Sequence, residues 1–483
     1  MDLKQRYSSF DAAMQTLNAY IKGARAGVVG HFFSYPPIPL PVLDINYSIC
    51  VEKKPLTGLY IHWPYCIFPD NRLKCDFCCS NTKNEPYNKA LKDDYYKALL
   101  EEIKLYAQYF NNQKLQWIYF GGGTPSIMTD EELNGIFTLL KNEKMIDGNT
   151  FITIETRPEF ITHSKLKKFK EHHINRISMG VESLNDKVAQ KMGRVSCDNN
   201  YKLIVKKAVD LLRLYNIEFV NIDIIYGHPY DNIESVTETI IGVLECKPDS
   251  IAAYPMGMPS KQTLLEQDVK NGKEIKSLLF REQCSSLIND ILINEGYIHV
   301  YDCIWSKKNI NTYCTIPNCK GIINLWDQTS YMTQGIWVGI GVGSLGYIDG
   351  VGPVQNTNKI EDYINMVKNA RLPILNGILF STDELMRAEL IQSILHRTID
   401  VSRFYFLFGK SPVDLFPIEF EVLETVKFIQ IVDNDIKLTE IAIPFLQAIA
   451  RFLFSKDIEH TYRCLEKHRV DYEIYKVNYD KYD

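Results

Sequence analysis

The stretch at residues 59–80, LYIHWPYCIFPDNRLKCDFCCS, places Cys66, Cys75, Cys78 and Cys79 within fourteen positions directly behind a short apolar run. Three thiolates on one loop suit a four-iron cluster in which three irons are protein-bound and the fourth stays open. A four-cysteine zinc site competes. Zinc loops usually supply matched Cys-x2–4-Cys halves, whereas CDFC here has only the distant Cys66 and the adjacent Cys79. Incidental buried thiols are the third reading. The chain has twelve cysteines and starts with an amphipathic, charge-mixed segment unlike an export signal. That combination predicts a reducing, cytoplasmic setting, where clustered thiols serve metals or redox chemistry rather than disulfides.

Outward from the cysteines, residues 56–255 pair short β-rich runs with amphipathic helices. GLYIHWP precedes 91–111, WIYFGGG precedes 131–145, and TFITIET precedes 163–173; NRISMGV precedes 185–192 and 200–215, VNIDIIYG precedes 233–246, and SIAAYPM closes the series. Leu91, Ala98, Leu99, Ile103 and Ala107 share one side of the first helix. Alternating β and α elements imply parallel strands with crossover helices, and six such strands predict an α/β fold built on a partial (β/α)6 barrel. Barrel chemistry gathers at the C-terminal ends of the strands. There lie the cysteines, YFGGGTPS at 119–126, Glu155 in IETRP, Glu182 in SMGVES, Arg194 in KMGR and Asp223 in NIDIIYG. The glycines permit close backbone approach, with N–H groups expected to be free for an anion or amino-acid moiety. No Gly-Lys-Ser/Thr follows, so this is not a phosphate loop. Singly, each charged residue reads most simply as a salt-bridge member; together they make a polar cup beside the thiols.

Three regions are expected. Residues 1–55 give a helix and a proline-rich arm containing FFSYPPIPLPVL, residues 56–370 the barrel with a substrate-facing extension, and residues 371–483 a helical, winged-helix-like domain whose wing is FIQIVDNDIKLTEIAI. A net charge of -5 over 483 residues argues against a nucleic-acid footprint. No apolar run approaches the length of a membrane span, which predicts no membrane partner.

Taken together, LYIHWPYC…CDFC, YFGGGTPS, IETRPE, NRISMGVESLND, NIDIIYGHP and GIGVGSLGYI resemble the motifs of radical S-adenosylmethionine (SAM) enzymes of the oxygen-independent coproporphyrinogen III oxidase group. TDELMRAELIQSIL and IKLTEIAIPFLQAIARFLF extend the likeness to roughly residue 450. The resemblance implies that Cys66, Cys75 and Cys78 bind a [4Fe-4S] cluster whose open iron takes SAM, which is cleaved reductively to a 5′-deoxyadenosyl radical. It implies that Tyr60 and His62, two apart on one strand face, lie near the sulfonium as catalytic residues, and that Phe77 lies beside the adenine. Gly122, Gly123 and Thr124 would meet the methionine amino end and Arg194 its carboxylate, while Glu155, Glu182 and Asp223 act as acceptors. It further implies a radical SAM oxidoreductase acting on a small, tetrapyrrole-like molecule with a flavodoxin- or ferredoxin-type electron donor. A haem chaperone and a radical SAM C-methyltransferase are the alternatives within the group.

The sequence departs from the group's pattern twice. Eight residues separate Cys66 from Cys75 where the group has three, and Glu182 stands where it usually has Gln. Choosing Cys78 over Cys79 as third ligand keeps Phe77 in its place. Cys303, Cys314 and Cys319 are too irregularly spaced to favour a second metal site, and INLW at 323–326 lacks the histidine of the haem-chaperone branch. FFSYPP and VQNTNKIEDYI resemble the oxidase branch.

Overall fold

The computed structural model describes residues 5–25, 56–68, 74–78, 83–84, 88–110, 114–194, 200–256, 263–301, 303–307, 336–348, 352–432 and 435–460. The proline-rich arm, Cys79, Cys314, Cys319 and the 323–326 segment lie outside the described residues. The predicted alternation is present as β1 (Leu56–Trp63), α2 (Lys89–Phe110), β2 (Trp117–Gly122), α3 (Asp130–Asn142), β3 (Phe151–Thr156), α4 (His163–Glu171), β4 (Arg176–Glu182), α5 (Asp186–Met192), α6 (Tyr201–Leu214), β5 (Phe219–Tyr226), α7 (Ile233–Glu245) and β6 (Ser250–Pro255), after an N-terminal α1 (Phe10–Arg25). On α2, Ala98, Leu99 and Ile103 are buried and Leu91 and Ala107 pack at the margin of the core. Each fully buried Leu or Ile contributes roughly 1.5–3 kcal/mol, so this stripe fixes the helix against the sheet. Thr129 and Glu132 close a reciprocal capping box at the start of α3, which stabilises it by about 1 kcal/mol.

Strands β1 to β6 are parallel neighbours in order, and a seventh parallel strand, β9 (Ile336–Ile340), pairs with β1 on its other edge. Beyond β6 come antiparallel β8 (Ile304–Ser306) and β7 (Ile298–Tyr301), following α8 (Leu264–Lys270) and α9 (Leu278–Asn294); beyond β9 come antiparallel β10 (Leu345–Ile348), β11 (Gly352–Asn356) and, after α10 (Ile360–Lys368), β12 (Ile374–Gly377). The order is linear from β12 to β7, so the barrel is open.

Alternation along the strands sorts two faces. Ile177, Met179 and Val181 of β4 join the core under the helices. Trp117, Tyr119, Phe151, Phe219 and Trp337 face the other way and form one apolar cluster with α1 and the C-terminal helical part. That part runs from α11 (Thr382–Leu395) through α12 (Val401–Phe408), α13 (Pro412–Leu415) and α14 (Pro417–Thr425) to α15 (Leu446–Phe452). It carries a three-stranded sheet whose hairpin, Ile429–Val432 with Asp435–Leu438, is the expected wing. Arg6, just before α1, donates to the carbonyls of Arg451 and Phe452 at 2.7 and 2.9 Å, clasping the N-terminal segment to this part.

Behind β9, the Glu102 carboxylate of α2 accepts from Gly341 N (2.7 Å), Asn356 Nδ2 (2.8 Å) and Tyr363 Oη (2.6 Å). Burial outweighs these donors and pushes its pKa up from 4.5 to about 8. The folded state therefore holds a proton that the unfolded chain has released between those values, and stability falls as pH rises through this window, by up to about 1.4 kcal/mol per pH unit. Denaturant melts of the wild type at pH 5 and 8 should show this decline, and Glu102→Gln should reduce it by the Glu102 share.

Candidate active site

β1 leads directly into the thiol loop, where Tyr65–Cys66 pairs in parallel with Lys83–Asn84. Cys66 and Cys75 are 5% and 3% exposed and share a small cluster with Phe68, against which Phe77 and half-buried Cys78 pack. None of the three is in a disulfide. The structure thus gathers the three predicted cysteines across the long gap, and it fixes each end separately. Cys66 Sγ lies 3.0 Å from Thr124 Oγ1, Cys75 Sγ lies 3.7 Å from the Gly193 carbonyl, and Asp76 N donates to Met192 O at 3.4 Å. Gly193 ends α5 in the left-handed region at φ 85°, with Arg194 N donating back to Ala189 O. This cap brings both the Gly193 carbonyl and Arg194 to the thiols.

Arg157, directly after β3, bridges the two halves. Its Nη1 donates to Ile67 O at 2.7 Å and its Nη2 to Arg194 O at 3.0 Å, and it is ion-paired with Glu159. Burial pushes the Cys75 thiol pKa up, while Arg194 and Arg157 pull it down. Arg157 and Arg194 each retain a buried Nε without a partner among the described residues. Cations with unspent donors beside gathered thiols fit an anionic, thiolate-bound group. Among the described residues no three His, Cys, Asp or Glu side chains converge on a single metal-ion position. A four-iron cluster asks for one thiolate per iron instead.

Because each end is held independently, deleting residues 69–73 should leave cluster loading intact. The deletion restores a three-residue spacing, Ile67-Phe68-Lys74, and loop length itself costs only logarithmically. Iron and sulfide analysis after anaerobic reconstitution reads the outcome; loss of loading would mean that the five residues themselves position the thiols.

Below the thiols lies the polar cup. Tyr60 Oη and His62 Nδ1 are 3.0 Å apart, as expected for residues on one strand face. Glu155 accepts from Tyr119 Oη at 2.9 Å and from Gly122 N at 3.2 Å, and burial pushes its pKa up to about 7. Asp223 accepts from Ser178 Oγ and Asn221 Nδ2, each at 2.9 Å, and burial raises its pKa too. Glu182, held at φ 67°, is ion-paired with buried Arg194, whose guanidinium lies 5.2 Å from the Phe77 ring centroid. Burial, opposed by Arg194, raises the Glu182 pKa.

One expectation is corrected here. The glycine loop does not offer free N–H groups: Gly122 N is taken by Glu155, Gly123 N donates to Trp63 O at 2.7 Å, and Thr124 N to Tyr65 O at 2.9 Å. The glycines instead admit the neighbouring backbone, since a Cβ on Gly123 would sit 2.4 Å from Tyr65 O. Glu182, named as an acceptor from the sequence, has its carboxylate paired with Arg194, as the simpler salt-bridge reading of each charged residue anticipates.

Sequence reasoning named neither Arg157 nor His228 as part of the site. Arg157 stands inside the quoted IETRP, but its reach to Ile67 is tertiary. Buried His228, from NIDIIYGHP, has Nδ1 facing Tyr230 N at 3.3 Å and Nε2 4.0 Å from Asp76 of the cysteine loop.

Residues 65–240 match the model of the radical SAM superfamily. The oxygen-independent coproporphyrinogen III oxidase of Synechocystis is 25% identical over 405 residues, covering 80% of this chain and 81% of the relative. The heme chaperone HemW of Lactococcus lactis is 27% identical over 311 residues, covering 63% of this chain and 74% of the relative. In fold, coproporphyrinogen III oxidase (HemN) from Escherichia coli matches with a TM-score of 0.75 at 20% identity, over 88% of this chain and 96% of that one. Proteins of this superfamily use a [4Fe-4S] cluster and SAM, and none of the described helices is long and apolar enough to cross a membrane. Residues 65–240 thus carry a radical SAM domain, and the chain as a whole is similar to oxygen-independent coproporphyrinogen III oxidases and to the heme chaperone HemW.

Proposed function

We propose that this chain is a radical SAM enzyme that modifies a carboxylated, tetrapyrrole-like substrate, with oxidative decarboxylation as the first reaction to test. The observation that carries the reading is the clustering of Cys66, Cys75 and Cys78 beside Arg194, whose partner Glu182 stands with Tyr60, His62, Glu155 and Asp223 among the polar residues of the parallel strands. In this reading the three thiolates hold the cluster and Phe77 stacks beside the adenine. Gly122, Gly123 and Thr124 meet the methionine end of SAM, Arg194 meets its carboxylate, and Glu155 and Asp223 accept from its polar groups. When bound, the cluster and SAM supply one-electron reductive cleavage of the sulfonium. The protein's own residues orient the cofactor, exclude water through buried surroundings, and hold a proton between Tyr60 Oη and His62 Nδ1 on the substrate side. The electron comes from a flavodoxin- or ferredoxin-type donor.

A haem-carrying role is the second reading, supported by the HemW relatives. Product analysis of reduced, reconstituted protein offered coproporphyrinogen III and haem separates the two. Substrate-dependent SAM consumption with loss of carbon dioxide supports the enzyme. Stoichiometric haem binding with slow, uncoupled SAM cleavage supports the carrier, and methyl transfer from labelled SAM supports a methyltransferase.

A further inference from the structure

Arg176 opens β4 and projects to the concave side of the sheet, opposite to Ile177 and Met179, which join the core under the helices. It lies in register with Thr153 of β3 and Phe219 of β5, in the same row as Tyr60 and Tyr119. Its guanidinium carbon is 5.8 Å from the Phe219 ring centroid, and the residue is only 2% exposed. Yet Nε and Nη1 have no hydrogen-bond partner among the described residues. A buried guanidinium without acceptors is costly, because the lost hydration is not replaced. Such an orphan in a native fold calls for an absent group.

The nearby carboxylates do not fill the role. Arg176 interacts electrostatically with Glu155 and Asp223. Their oxygens, however, receive their hydrogen bonds from Tyr119, Gly122, Ser178 and Asn221. Asn221 in turn accepts from Ser250 Oγ at 2.6 Å and donates to Ser178 Oγ at 3.0 Å, so this polar network is complete without the arginine. The same concave face carries a second unanswered donor, the indole Nε1 of buried Trp337. Around both are aromatic surfaces, Trp117, Tyr119, Tyr60 and Phe219. Among the lumen-facing positions of β1 to β6, Arg176 is the single Lys or Arg.

Resting on the tetrapyrrole reading above, we propose that Arg176 anchors a carboxylate of the substrate inside the barrel. An arginine suits this task because its planar, always-charged fork matches a carboxylate.

The test is a fluorescence titration of the cluster-loaded protein with coproporphyrin III and with its tetramethyl ester, both in the same mild detergent. The acid should bind the wild type at least ~10-fold more tightly than the ester. Arg176→Met should bind the acid no better than the ester, with Arg176→Lys in between and cluster absorbance serving as the check on folding. Equal affinity of the wild type for acid and ester overturns the anchor and leaves the tetrapyrrole reading standing, as does an acid preference that survives in Arg176→Met. Failure of the wild type to bind either porphyrin overturns both. If Arg176→Met does not fold, the acid-to-ester ratio of the wild type against that of Arg176→Lys decides.

Discussion

Replacing Cys66 with alanine is expected to abolish the cluster absorbance of anaerobically reconstituted protein and, with it, all 5′-deoxyadenosine formation. Cys66 is one of three thiols packed in one small cluster, and no other thiol among the described residues belongs to it. A cluster held by two thiolates is solvent-labile, so the effect should be all or none, at least ~10-fold in bound iron. Cys75→Ala and Cys78→Ala should behave alike. Cys246→Ala is the control: its thiol faces Gly242 O at 3.5 Å on α7, in another part of the barrel, and its loss should leave iron content unchanged. Full loading of Cys78→Ala would instead make Cys79 the third ligand.

The second large effect concerns the buried Glu182–Arg194 pair. If Arg194 receives the SAM carboxylate, Glu182 competes for the same guanidinium and places a like charge nearby. Glu182→Gln should then lower the SAM dissociation constant about tenfold, equivalent to about 1.4 kcal/mol. Arg194→Met should raise it by roughly tenfold or more, since it removes a desolvated charge partner. Anaerobic calorimetry on cluster-loaded protein reads both without requiring turnover. Weaker binding by Glu182→Gln would show that the Glu182 carboxylate itself holds the cofactor.

Much of this arrangement was legible in the chain, and for identifiable reasons. The βα period carried the strand order β1 to β6 because each unit is local, and the ends of α2 through α7 were readable to within a few residues from hydrophobic spacing. The Tyr60–His62 contact followed from strand alternation alone. What escaped was tertiary. Strand β9 joins β1 from more than 270 residues away, and no local pattern says which edge it takes. The N–H groups of the glycine loop looked available because their acceptors, Trp63 O, Tyr65 O and Glu155, belong to other segments. Arg157 and Arg176 sit inside motifs that were read, but a motif does not say that one clamps Ile67 O while the other is left without an acceptor.

The central claim is that Cys66, Cys75 and Cys78 jointly hold a SAM-cleaving cluster despite the long gap between the first two. It is tested most directly by anaerobic reconstitution of the full chain, Mössbauer and iron analysis, and then reduction in the presence of SAM. The account predicts one [4Fe-4S] cluster per chain and formation of 5′-deoxyadenosine with methionine. A protein that takes up no cluster, or takes one up and leaves SAM intact under reduction, would contradict it.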